Sequence, residues 1–191
     1  MSNYLIPLMV VVPMLCAILV NAFAKFNKSI KVLTFVVAIC LPIIPLLSNY
    51  GLHFFGGYTP MLDNATGVIY HPAITYAFDM LQQIFIVAVG LITFLVAFIY
   101  LSKYKKASGQ YLFLLFMGTA SVTALMLTDD IFNMFVFFEI LALVQVGIVI
   151  ASPMDYSYEM ALKYMILGSI GSPIMLLGIG FLLASTGNIL I

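Results

Sequence analysis

The sequence predicts an all-α integral membrane protein with about six transmembrane helices. Three observations predict it. Of 191 residues, 64% are hydrophobic and 7% charged, with a mean hydropathy of +1.20. A soluble domain of this size needs a far more charged surface. The apolar residues fall into six runs of a length suited to a hydrocarbon core about 30 Å thick. All seven cations are lysine, and six of them gather in two connections. Net charge is zero, which argues against nucleic acid as a partner.

The spans lie near 4–23, 32–47, 76–101, 111–127, 131–151 and 160–185, within a single transmembrane domain covering 1–191. The first run has no positive residue ahead of it, so it is expected to be a retained span and not a cleaved signal. The second is short and holds Pro42 and Pro45, which predicts an irregular far end. The long connection 48–75 alternates apolar stretches with Gly and Asn turns, as expected of short strands in a hairpin. His53 and His71 there read as surface structure, and Asn64-Ala65-Thr66 fits a glycosylation sequon that is common by chance. Asp79 opens the third span, where an acid favours a helix N-terminus. Thr128, Asp129 and Asp130 stand before the fifth as a cap.

The sixth span carries small residues four apart, Gly168 with Ser172 and Gly180 with Ala184, and Gly147 with Ala151 offers a similar face on the fifth. Pro173 predicts a kink. Cys16 and Cys40 both fall inside apolar runs, with no metal-ligand spacing; no metal site is expected.

Lysines set the orientation. Lys25, Lys28 and Lys31 lie between spans one and two, and Lys103, Lys105 and Lys106 between spans three and four. If every span crosses, both clusters fall on one side, expected to be cytoplasmic. The chain is then a multi-pass protein of the cell (inner) membrane with both termini outward. The connection holding Asp155 and Glu159 is also cytoplasmic in this scheme.

Glu139 is the feature that calls for a function. Eight residues into its span, at 1.5 Å per residue, it lies about 12 Å deep, close to the midplane. A charged residue at a helix centre costs about 2.5–3.5 kcal/mol. In general burial raises a carboxyl's pKa and a neighbouring ammonium lowers it, so a carboxyl beside a movable cation can load and release a proton. The bland alternative is a neutral Glu bonded to another helix. Lys163 is the second candidate. It lies about one turn into span six, where it either points inward or snorkels to the interface. Ser121, Thr123, Asn133 and Gln145 are candidates for a polar path. Asp79 and Asp130 are candidates for ion access as well as caps.

The stretch TDDIFNMFVFFEILAL resembles the Glu-bearing helix of the antiporter-like membrane subunit family, which includes complex I proton-pumping subunits, Mrp-type sodium/proton antiporters, membrane-bound hydrogenases and sulfur reductases. The resemblance rests on Asp130, the Phe132-Asn133 pair, the aromatic residues from Phe135 to Phe138, and Glu139. The stretch ALKYMILGSIGSPIMLLGIGFLLASTGNI is similar to the family's following helix, with Lys163 at its lysine. HPAITYAFDML resembles the hairpin leading into the third helix, with Asp79 at the family's acidic position.

The resemblance implies a proton path in which the Glu pairs with a lysine on a broken seventh helix, within a fold of about fourteen helices. The six spans here correspond to the first six. The expectation is therefore a membrane subunit of a multi-subunit complex, contributing Glu139 and Lys163 to a proton or sodium/proton path. A companion polypeptide supplies the remaining helices. No catalytic site or cofactor is expected in this chain; any iron–sulfur clusters sit on partner subunits. The alternative is a structural or assembly subunit that bridges partners without moving ions.

Overall fold

The computed structural model describes residues 5–48, 50–55, 61–62, 69–70, 74–104, 108–151 and 156–186. In chain order the elements are α1 (Leu5–Ala22), α2 (Asn27–Ile43), a 3-10 turn over Ile44–Leu47, four short strands, and four more helices. The strands are β1 (Gly51–Phe55), β2 (Met61–Leu62), β3 (Ile69–Tyr70) and β4 (Ile74–Phe78). The helices are α3 (Met80–Lys103), α4 (Gly109–Leu127), α5 (Ile131–Ile150) and α6 (Ser157–Thr186). Six helices are long and apolar enough to cross a membrane. In lipid every backbone polar group needs an internal partner, and helices supply one for each residue between their ends. His71, the sequon at Asn64, Lys105, Lys106, Asp155 and residues 187–191 lie outside the described residues.

The helix ends depart from the apolar runs in ways that have physical causes. α2 starts at Asn27, so Lys28 and Lys31 are helical and not in a loop. Lys103 likewise closes the last turn of α3. Long lysine side chains reach the interface from inside a helix, which lets the helix outrun its apolar stretch. The third span starts four residues later than hydropathy suggests. Tyr76, Ala77 and Phe78 belong to β4, which pairs antiparallel with β1 from Gly51↔Phe78 to Phe55↔Ile74. β-branched and aromatic residues suit a strand, and hydropathy alone cannot separate such a strand from the helix that follows it. Asp79 then marks the boundary: its side chain takes the N3 backbone N–H while Gln82 reaches back to the Asp79 N–H, a complete capping box. Gly51, with φ 137°, holds a backbone conformation that glycine adopts without strain.

Two apolar clusters form the core, one above the other. Towards the strand end, Ile6 and Met9 of α1 meet Phe78, Ile86 and Leu127. Towards the lysine end, Cys16 and Val20 meet Ile30, Leu112 and Phe116. Cys16 is thus a packing residue as expected. Cys40 is a free thiol on the exposed face of α2, so packing does not account for it.

α4 is the central helix, packed against α1, α3 and α5. α6 packs on α5. It is the least enclosed of the helices, with Ser157, Ala161 and Ile179 as its buried residues. The irregular end expected for the second span is the 3-10 turn that follows Pro42. Both lysine-bearing connections lie at one end of the bundle: Lys31 Nζ donates to the Tyr104 carbonyl at 3.2 Å.

α3 approaches α2 most closely at Gly90. A Cβ there would stand 2.8 Å from the Pro42 nitrogen and 3.0 Å from the Leu41 carbonyl carbon. These are backbone atoms and cannot swing aside. Gly90→Val is expected to destabilise the protein by about 1–3 kcal/mol, the usual cost of overpacking. A thermal melt of the purified protein in detergent checks this.

Candidate ion-translocation site

Glu139 sits in the ninth position of α5, on the face towards α6, and is half-buried. Its carboxylate is in direct hydrogen-bond contact with the hydroxyl of Ser172 on α6. The same Ser172 hydroxyl lies 3.2 Å from the carbonyl oxygen of Gly168, one turn earlier. Pro173 follows immediately and lies within the continuous helix α6. Proline has no N–H, so the Ser169 carbonyl lacks its usual intrahelical donor at this level. The sequence showed Ser172 only as a small residue. Its place directly before Pro173 in an apolar run is the available signal that it has a polar partner.

A serine hydroxyl has one proton and can also accept. With Glu139 ionised, Ser172 donates to the carboxylate. With Glu139 protonated, the acid donates to Ser172 Oγ, and the serine proton turns to the Gly168 carbonyl. Both protonation states are then hydrogen-bonded within one geometry, as a group that loads and releases a proton requires.

Lys163 stands elsewhere. It pairs with Glu159 at 2.6 Å, and both side chains are more than half exposed, at 60% and 57%. Nine residues separate Lys163 from Ser172, which is about 13 Å along the axis and half a turn around it. Lys163 therefore faces away from the side of α6 that meets Glu139. The structure does not bring Glu139 and Lys163 together within this chain.

The other candidates divide in two. Asp130 and Asn133 form a cluster at the start of α5. Asp130 Oδ1 accepts the N–H groups of Phe132 and Asn133 at 2.7 and 3.0 Å, a helix cap. Asn133 Nδ2 donates to Thr128 Oγ1 at 2.9 Å. Tyr76 bridges to Thr128 from β4 and hydrogen-bonds Asn133. Burial pushes the Tyr76 phenol above its ordinary pKa, and the Asn133 bond partly offsets this. Tyr76 was not a sequence candidate, because its partner comes from a distant element.

Asp79 serves the cap of α3. Ser121 and Thr123 are buried in α4, and Ser121 donates to its own Met117 carbonyl at 2.9 Å. Two positions apart on a helix, they point to different sides. Gln145 is exposed and lines a slot between α3, α4 and α5. Near that slot Thr93 and Thr119 place their hydroxyls 3.0 Å apart. Among the described residues no group of three or more His, Cys, Asp or Glu could hold a metal ion.

Comparison with known proteins bears on this arrangement. Residues 128–191, which hold Glu139 and Ser172, match the family described as NADH:quinone oxidoreductase/Mrp antiporter, transmembrane. A Na(+)/H(+) antiporter subunit of Bacillus subtilis is 31% identical over 101 residues, covering 53% of this chain and 20% of that protein. Residues 128–191 belong to the antiporter-like membrane subunit family. A protein of Methanocaldococcus jannaschii, MJ1309, is 40% identical over 98% of this chain and 37% of its own length. In the structure of the Mrp complex from Dietzia sp. DQ12-45-1b, one chain matches with a TM-score of 0.80 at 21% identity. The match covers 97% of this chain and 35% of that one, and it shows a shared fold. The chain thus spans well under half the length of each protein it matches.

The Asp130 cap yields a stability prediction. Asp130→Ala removes both accepted N–H bonds and is expected to cost about 1 kcal/mol. Asp130→Asn keeps a capping oxygen and should stay within a few tenths of wild type. Melting temperatures of the two variants check the difference.

Proposed function

We propose that this chain supplies the first six helices of an antiporter-like module, and that Glu139 carries the transported proton. The contact between Glu139 and Ser172 supports this reading most directly, because it satisfies the carboxyl in both of its protonation states. Family membership supplies the wider setting of ion-translocating membrane complexes. The remaining helices of the module, on a continuation of the polypeptide or on a companion subunit, bring the cation that drives the Glu139 proton off. Lys163, paired with Glu159 on the other face of α6, reaches this path only through a further helix or subunit packed there. Redox groups, in a complex-I-like assembly, belong to partner subunits.

A structural role is the second reading. One observation favours it: among the described residues the ammonium of Lys163 is engaged by Glu159, on the face of α6 away from Glu139. In that case Glu139 is a permanently neutral helix-to-helix bond.

Two variants separate these readings in the native complex reconstituted in vesicles. Glu139→Gln keeps a hydrogen-bonding amide and cannot release a proton. Ion transport should fall by roughly two orders of magnitude or more, the range lost when a proton-transfer group is removed, with the complex assembled. Transport at the wild-type rate, with intact assembly, overturns the proposal and supports the structural role. Ser172→Ala should slow transport about tenfold, which corresponds to one hydrogen bond to a charged group. Ser172→Thr, which keeps the hydroxyl, should retain most of the rate.

A further inference from the structure

A groove runs down the bundle between α3 and α5, with α4 as its floor. α4 packs against both of these helices, and they are not major neighbours of each other. At the lysine-bearing end the groove opens into a cleft of about 680 Å3, formed by the end of α3, the start of α4 and the end of α5. This volume is in the range of sites that hold small organic ligands.

The mouth of the cleft is polar and built. Lys103, Ser108 and Gln110 line it with the phenols of Tyr104 and Tyr111. The Tyr100 ring stacks on Tyr111 with centroids 4.3 Å apart and meets Tyr104 at 4.9 Å. The Ser108 N–H donates to the Tyr100 hydroxyl at 2.9 Å, which fixes that ring. Lys103 Nζ stands 5.6 Å from the centroid of the Tyr104 ring. Among the described residues Lys103 is the one charged member of the lining.

Below the mouth the lining turns mostly apolar, with Thr93, Thr119 and Gln145 as its polar members. Val96, Ile99 and Ile148 lead from the cleft, and Ile148 also borders a narrower slot of about 250 Å3. Val144 packs on Gly118, where a Cβ would stand 3.2 Å from a valine methyl, and Ile92 lines the slot from α3. From Ser108 at the mouth to Val122 in the slot is fourteen residues of α4, about 21 Å. One leaflet contributes roughly half of a hydrocarbon core about 30 Å thick. A whole helix about 10 Å across, at roughly 800 Å3 per 10 Å of length, does not fit inside the slot.

We propose that this groove binds a phospholipid with an anionic head group, its phosphate at Lys103 and the tyrosine hydroxyls and one acyl chain in the slot beside Ile92. The site is shaped like the ligand. A cationic, hydrogen-bonding mouth stands at the lysine-bearing end, and a mostly apolar slot runs from it along α4. Polarity changes along the groove at the depth where a lipid changes from head to tail.

The test uses the chain with its native partners in phosphatidylcholine nanodiscs. Trace amounts of phosphatidylglycerol or phosphatidylcholine, each with a photoactivatable acyl chain, are added and the crosslinks mapped by peptide mass spectrometry. Phosphatidylglycerol is expected to label the peptides of Ile92, Val96 or Ile148 about fivefold more than phosphatidylcholine, the preference one lysine near an anionic lipid gives. Lys103→Gln should remove that preference and leave labelling at the phosphatidylcholine level. Ile92 is 61% exposed, so Ile92→Trp narrows the slot without disturbing the core and should lower labelling by either lipid. Equal labelling by both lipids in the wild type overturns the proposal. So does crosslinking of these residues to another polypeptide in place of lipid.

Discussion

A carboxyl group near the centre of a membrane span governs how α5 and α6 meet. Lipid offers Glu139 no solvation, so its hydrogen-bonding needs fall on neighbouring helices. Ser172 donates one hydrogen bond to Glu139, in a rotation of α6 that brings the two side chains face to face. Ala161 and Ile179 fall on the same side of α6 as Ser172 and are buried there. Lys163 is carried to the far side by the same rotation. Where the charges of this helix pair lie thus follows from one polar contact in an apolar setting.

The rest of the bundle holds α5 in place from its other side and from its end. α4 presents its apolar surface to α1, α3 and α5. Gly147 of α5 packs against Leu114 of α4, where a Cβ would stand 2.7 Å from a leucine methyl. At the strand end, Thr128 is tied to Tyr76 of β4 and to Asn133. The sheet, the connection before α5 and the first turn of α5 are therefore joined through Thr128. Glu139 sits two turns below this anchorage.

Features that depend on near neighbours in the chain were legible in the sequence. The six spans follow from apolar runs, and the caps at Asp79 and Asp130 from residues within one turn of them. The strand at Ile74–Phe78 was hidden because its residues are as apolar as the helix after it. The site was half legible. Glu139 stands out by its cost in lipid, and family resemblance singles out the same residue. Its partner does not stand out, because Ser172 reaches Glu139 across a helix interface whose rotation no local pattern encodes. The direction of Lys163 was open in the sequence for the same reason. Whether a residue one turn into a helix points inward depends on helix phase, and the phase of α6 is the one that brings Ser172 to Glu139.

The pairing of Glu139 with Ser172 also bears on how the protein reaches the membrane. α5 ends at Ile150 and α6 begins at Ser157, so the two leave the ribosome in close succession. Inserted alone, α5 would carry a bare carboxyl into lipid. Inserted as a helical hairpin, it takes its hydrogen-bond donor along. In biogenesis terms, the contact between Glu139 and Ser172 lowers the cost of carrying a carboxyl into lipid.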